Sequence, residues 1–195
     1  MLKKVLLIVL VLFCGCSKSL KTDSGYSRTY LFFKDFDTNN YYVSFYDRNV
    51  SVDDKTKINM ARSSDNYFYE IDGFENRIII QKDGFRYTVN NNLMNYFEEE
   101  AALEDFSYGL IPRNIKKLKK MKYETGYQKV FNKKYIFEKY KIDNGESIYY
   151  FDGNDLVYVS YKSALGFNML KFISMSNDVD KDIFEISSKY SEISY

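Results

Sequence analysis

Residues 76–89 read NRIIIQKDGFRYTV, a β-branched run, the pair Asp83-Gly84, and a second run in which aromatic or branched side chains alternate with polar ones. An Asp-Gly pair supplies two residues that tolerate positive φ, which a two-residue hairpin turn requires. The stretch therefore predicts two antiparallel strands placed side by side. Just upstream, NYFYEI (66–71) runs into Asp72-Gly73, which adds a strand and a turn. Tyr67, Tyr69 and Ile71 fall on one face of that strand and Phe68 on the other. A three-strand meander results.

The same design recurs downstream. YIFEKYKI (135–142) leads into Asp143-Asn144-Gly145, SIYYF (147–151) into Asp152-Gly153, and LVYVSY follows at 156–161. Further strands are predicted at 41–46, 56–61 and 168–174, which brings the count to nine to eleven, mostly antiparallel and sequentially adjacent. Residues 91–122, between the two meanders, have another rhythm. Leu93, Tyr96, Phe97, Ala101, Leu103 and Phe106 recur mostly at three and four, with Glu98, Glu99 and Glu100 among them, and predict an amphipathic helix over 92–106. Tyr108-Gly109-Leu110-Ile111-Pro112 ends it. Ile115, Leu118 and Met121 then form a row amid lysines, either a second short helix or a basic connector. A short helix is also expected within 26–37. The predicted fold class is α+β, mainly β: a curved antiparallel sheet, an unclosed half-barrel of nine to eleven strands, under a helical lid.

The chain begins Met1-Leu2-Lys3-Lys4, and residues 5–13 carry no charge. A basic end before a short apolar run is the pattern of a signal peptide, and as a helix the run spans about half a bilayer core. Phe13-Cys14-Gly15-Cys16 follows and resembles the lipobox of bacterial lipoproteins, although Phe13 and Cys14 depart from its usual residues. The resemblance implies cleavage after Gly15 and a diacylglyceryl group on Cys16, which would hold the protein on the extracytoplasmic side of a bacterial cell membrane. A disulfide between Cys14 and Cys16 would close a strained ring, and two cysteines without histidine make a poor zinc site. Residues 1–15 are thus read as signal, 16–25 as a flexible tether, and 26–195 as one β domain with a helical insertion at about 91–122.

Composition narrows the function. The net charge is +1, which argues against a nucleic-acid binder, and there is no histidine to serve as general base or metal ligand. No nucleophile elbow, phosphate loop or dinucleotide fingerprint occurs. The expectation is a protein with no catalytic residue, no metal and no cofactor. Glu98–Glu100 are read as a solvated face, and Asp152-Gly153-Asn154-Asp155 as a hairpin turn rather than a calcium loop. The 20 Tyr and 16 Phe are the unusual feature, and they occupy both faces of the predicted strands.

A curved antiparallel sheet with a helical insertion between its halves resembles the lipoprotein-carrier fold of the LolA and LolB type. The ending adds to the likeness: Val179-Asp180, then Phe184-Glu185-Ile186-Ser187-Ser188-Lys189-Tyr190, with Ser187 where the family pattern has proline. The resemblance implies a last strand that closes the sheet and an apolar cavity for acyl chains. Candidate lining residues are Tyr67, Tyr69, Ile78, Ile80, Tyr87, Leu93, Phe97 and Phe106. Arg113, Lys116, Lys117, Lys119, Lys120 and Lys122 form a basic stretch that could face an anionic membrane or serve as a solvated helix. The leading reading is a lipid-anchored carrier or sensor of a lipid or other apolar ligand. Its rival is an envelope protein with a filled core that binds a protein partner. A Cys16→Ser chain is expected to leave the membrane fraction, and its retention there would end the anchor reading.

Overall fold

The structure is a computed structural model, and it describes residues 22, 24–48, 56–73, 76–102, 104–143, 145–164 and 166–193. Cys16, the signal segment, most of the tether and Leu103 lie outside these residues. One short helix, α1 (Arg28–Phe33), precedes six strands: β1 (Asn40–Asp47), β2 (Lys57–Ser63), β3 (Asn66–Asp72), β4 (Arg77–Lys82), β5 (Phe85–Asn90) and β6 (Asn95–Glu100). A single helical turn, α2 (Ile115–Leu118), separates them from β7 (Glu124–Val130), β8 (Lys133–Ile142), β9 (Gly145–Asp152), β10 (Asp155–Ser163) and β11 (Gly166–Ser176). A 3₁₀ turn at Lys181–Phe184 and a two-residue β12 (Ser191–Glu192) complete the described chain.

The predicted turn chemistry is present at two of the four expected places; Gly73 and Gly145 do not take positive φ, and Gly145 already belongs to β9. Asp83 and Gly84 both adopt positive φ, 54° and 85°, and close a type I′ hairpin between β4 and β5. Gly153 takes φ of 62° at the first loop position between β9 and β10. Each meander is therefore a series of local hairpins. They meet where β1 pairs antiparallel with β11, giving one open sheet in the order β12-β6-β5-β4-β3-β2-β1-β11-β10-β9-β8-β7.

The helical lid is not found, and the fold is nearly all β. Residues 95–100, expected within a helix, form β6, with Phe97 opposite Thr88 and Glu99 opposite Arg86. Two local causes are visible. The Asn90 Oδ1 accepts the backbone N–H groups of Asn92 and Leu93, each at 3.0 Å, and so fixes a turn where a helix would have begun. The exposed edge of β5 also needs a hydrogen-bonded partner, and tertiary pairing overrides a weak helical spacing. The helices that are present, at six and four residues, are too short to form a lid. Among the described residues the strands number twelve rather than nine to eleven. The ending also differs from expectation, because 184–190 crosses one sheet face without joining the sheet. Only β12 returns to pair, and it runs parallel to β6 at Asn95 and Tyr96.

The sheet has two unequal faces. On the covered face Tyr41, Val43, Phe45, Met60, Tyr149 and Val159 meet Phe33 and Phe36 from the α1 region, Leu110 and Ile111 from the chain before α2, and Leu118 of α2 itself. On the opposite face one cluster joins Ala61, Phe68 and Ile80 to Phe184, and another joins Val130, Tyr135, Tyr150 and Tyr158.

Helix α1 is held by a residue from the other half of the chain. Glu138 on β8 is buried, and its carboxylate accepts from the Arg28 N–H at 2.8 Å, the Thr29 N–H at 2.9 Å and the Thr29 hydroxyl at 2.8 Å. The Tyr140 hydroxyl donates to it at 3.2 Å. Buried donors without an acceptor are destabilising, and here one carboxylate satisfies four. Glu138→Ala is expected to lower the unfolding free energy by about 3–5 kcal/mol, read as a fall in the urea midpoint at unchanged slope.

Candidate functional site

Residues 105–121 cross the covered face largely as irregular chain, and such a segment has to place its polar groups individually. Asp105 Oδ1 accepts the Ser107 N–H at 3.0 Å and the Ser107 hydroxyl at 2.6 Å, and the Tyr41 hydroxyl meets Ser107 Oγ at 2.7 Å. Asp105 Oδ2 takes Arg113 Nε at 3.0 Å, and the Arg113 guanidinium lies 4.6 Å from the Tyr108 ring centroid. At Gly109, with φ of 78°, an added Cβ would lie 2.4 Å from the Tyr161 ring. Its carbonyl accepts from Ser147 Oγ at 2.5 Å. Asn114 then caps α2 by accepting the Lys117 N–H at 2.8 Å.

Pinned in this way, the segment does not fill the space against β8 and β9. A cavity of about 370 Å³ remains, within the size range of small-molecule sites. Its buried wall consists of Ile111, Leu118, Tyr140, Ser147 and Tyr149, with half-buried Met121 beside them. Arg113, Asn114, Lys117, Lys141 and Asp143 line it with exposed side chains. A second space of about 330 Å³ lies on the opposite face, between Phe68, Ile78 and Ile80 and the crossing segment at Ile183 and Ile186. That segment is held by Lys82 against Glu185 at 2.5 Å and by the Tyr190 hydroxyl on Asn91.

The eight residues predicted to line a cavity do not converge. Tyr67, Tyr69 and Phe97 share the covered face, where Phe106 lies 5.2 Å from the Tyr69 ring. Ile78, Ile80 and Tyr87 point to the opposite face, because Ile78 stands across from Glu70 and Ile80 from Phe68. Leu93 sits exposed in the β5–β6 turn. Ile78 and Ile80 line the smaller space, and none of the eight lines the larger. Those that do line it include Leu118 and Met121 of the apolar row and Arg113 and Lys117 of the basic stretch, none of which was expected at a cavity. Lys116, Lys117, Lys119, Lys120 and Lys122 are all exposed, and Lys117 also lines the larger cavity.

The phenols around this face are neutral. Burial pushes the Tyr149 and Tyr41 hydroxyls far above their ordinary value, and their polar contacts with Ser147 and Ser107 only partly oppose it. Burial, reinforced by the charge of Glu138, does the same to Tyr140. The wall thus offers apolar rings with polar tips, suited to holding a ligand. Among the described residues no group of three or more His, Cys, Asp or Glu is placed to hold a metal, and no helix is long and apolar enough to cross a membrane.

No protein family matches the chain, and no curated protein does. Among solved structures it is similar to an uncharacterized conserved protein from Thermus thermophilus. The identity is 4%, the match covers 83% of this chain and 93% of that one, and the TM-score is 0.46.

The neutral phenols have a consequence for stability. In the unfolded chain a tyrosine titrates near pH 10, whereas Tyr41, Tyr140 and Tyr149 keep their protons when folded. Above about pH 10 the unfolded state binds fewer protons than the folded one, so stability falls as pH rises. The expected slope is about 1.4 kcal/mol per pH unit for each phenol, or about 4 for the three together. Urea titrations stepped through this range, with phenolate absorbance as a second probe, check it: the three should ionise only on unfolding.

Proposed function

We propose that the protein is a lipid-anchored binding protein of the bacterial cell envelope, non-enzymatic and facing the extracytoplasmic side. It holds an apolar ligand between the covered sheet face and the 105–121 segment. The observation that supports this most is the space of about 370 Å³ beside Ile111, Leu118, Met121 and Tyr149. It opens to solvent at a rim of Arg113, Asn114, Lys117, Lys141 and Asp143, and its floor is largely apolar and aromatic, as in sites that take an apolar ligand. The lipobox-like Cys16 supports the location, and the resemblance to carriers of the LolA and LolB type suggests the kind of ligand. The cover differs from the helical one that such a resemblance implies, because it is an irregular strap with one helical turn.

Native mass spectrometry after gentle release from the membrane is expected to show the chain with a bound apolar molecule. Met121→Trp, which adds bulk at the cavity wall, should retain the fold and reduce uptake of a fluorescent fatty acid by at least about tenfold. A bare mass together with no uptake by the unaltered chain would overturn the ligand reading and favour the protein-partner alternative.

A further inference from the structure

The basic stretch lies beside the point where the tether enters the domain. Lys119 Nζ sits 4.7 Å from the ring centroid of Tyr26 and 5.6 Å from that of Tyr30. Nine residues lie between Cys16 and Tyr26, ten steps along the chain, so whatever path they take, the domain surface around Tyr26 stays within about 35 Å of the lipidated sulfur.

Positive charge at this place is in excess. Lys116, Lys117, Lys120 and Lys122 are exposed and form no ion pair among the described residues. The two acids nearest the stretch in sequence are already engaged, Asp105 with Arg113 at 3.0 Å and Glu124 with Lys139 at 2.7 Å, and Asp143, which lines the cavity with Lys117, is outnumbered there by Arg113, Lys117 and Lys141. A whole-chain charge of +1 hides this imbalance, since Glu98, Glu99 and Glu100 lie on β6, nine places from β8 in the strand order.

We infer that the Lys116–Lys122 surface docks on an anionic bilayer and seats the domain with the 370 Å³ cavity toward the lipid. The inference rests on the anchor reading of Cys16. The range of the interaction is the reason. Charge on a membrane is screened within about 8 Å at physiological ionic strength, so lysines contribute only if something holds them close to the headgroups. The tether does so here, by raising the effective concentration of one face at the surface. Lys117 belongs both to the lysine cluster and to the cavity lining, so a docked domain would place that opening beside the bilayer. A ligand could then enter or leave with little exposure to water.

The test uses the full lipidated chain reconstituted in vesicles of phosphatidylcholine, with and without phosphatidylglycerol, at low and high salt. Flotation at high salt reports the anchor alone. Amide hydrogen exchange across 115–122 reports docking. The expected result is flotation on both vesicles, with about tenfold slower exchange only on anionic vesicles at low salt. Lys116→Gln, Lys120→Gln and Lys122→Gln together should lower the docked-to-free ratio by roughly 10²-fold while flotation persists. Flotation with the same exchange rate on both vesicles would overturn docking and leave the anchor standing. Failure to float would remove the anchor and the docking with it.

Discussion

The β1–β11 ladder is the constraint from which the rest of the structure follows. Every other antiparallel pairing links strands that are neighbours in sequence, and each can form as a local hairpin. Joining β1 to β11 instead brings Phe45 opposite Phe172 across more than half the chain. Closure entropy grows only slowly with loop length, so a modest set of contacts suffices to hold such a junction. The contacts are present. Phe172 lies 5.4 Å from Phe32 and 6.1 Å from the fully buried Phe45. An irregularity between Ser44 and Phe45 leaves Ile173 without a partner in the register, and Phe172 and Met175 both reach the covered side. Asn177 then ties the end of β11 to the α1–β1 connection, accepting from the Asp37 N–H and donating to the Asp35 carbonyl, each at 3.0 Å.

With the halves joined, the covered face is too broad for α1 alone, and the 105–121 strap takes up the remainder. An irregular strap over apolar rings has to satisfy its backbone from the sheet side chains below. Ser147 serves the Gly109 carbonyl, and Gln81 serves the Glu104 N–H at 2.8 Å. Those fixed points keep the strap at a set height above β8 and β9. Packing beneath a chain held by a few polar pins is less complete than packing beneath a helix, whose regular ridges can settle into the sheet. The cavity is the space that this arrangement leaves.

How much of this could be read in the sequence depends on how local each feature is. Strands flanked by Asp-Gly turns were legible because the turn chemistry and the alternation agree within a dozen residues. β6 was not, since its three glutamates and the apolar spacing around them suit a helix face as well as a strand, and only pairing with β5 decides. β7 carries one buried residue, Val130, and therefore lacks the alternation that marks a half-buried strand. Its turn hides as well, because Phe131 rather than a glycine takes φ of 52°. The face of each candidate residue followed from its own strand. Which faces meet a cover depends on where 105–121 and 182–190 travel, and that is fixed by long-range contacts with no local signature.

The tyrosine load takes on a physical meaning once the faces are known. Across the covered side runs a continuous row of aromatic contacts: Tyr123 to Tyr140 at 5.4 Å, Tyr140 to Tyr149 at 5.9 Å, and Tyr149 to Phe33 at 5.8 Å. It continues from Phe33 to Phe36 at 5.7 Å and from Phe36 to Tyr41 at 5.2 Å. The row spans both meanders, from β8 and β9 to β1, and each such pair contributes about 0.5–1.5 kcal/mol beyond its buried area. Tyrosine suits it better than phenylalanine wherever the ring meets a polar neighbour, as Tyr41 does at Ser107 and Tyr140 at Glu138. Its phenol satisfies that neighbour without adding a charge. At Phe33 the row is supplied by α1 itself, whereas Tyr140 and Tyr149 reach beyond the helix to the wall of the cavity. The core and the proposed binding site are thus one aromatic surface, closed by a helix at one end and only bridged by the strap at the other.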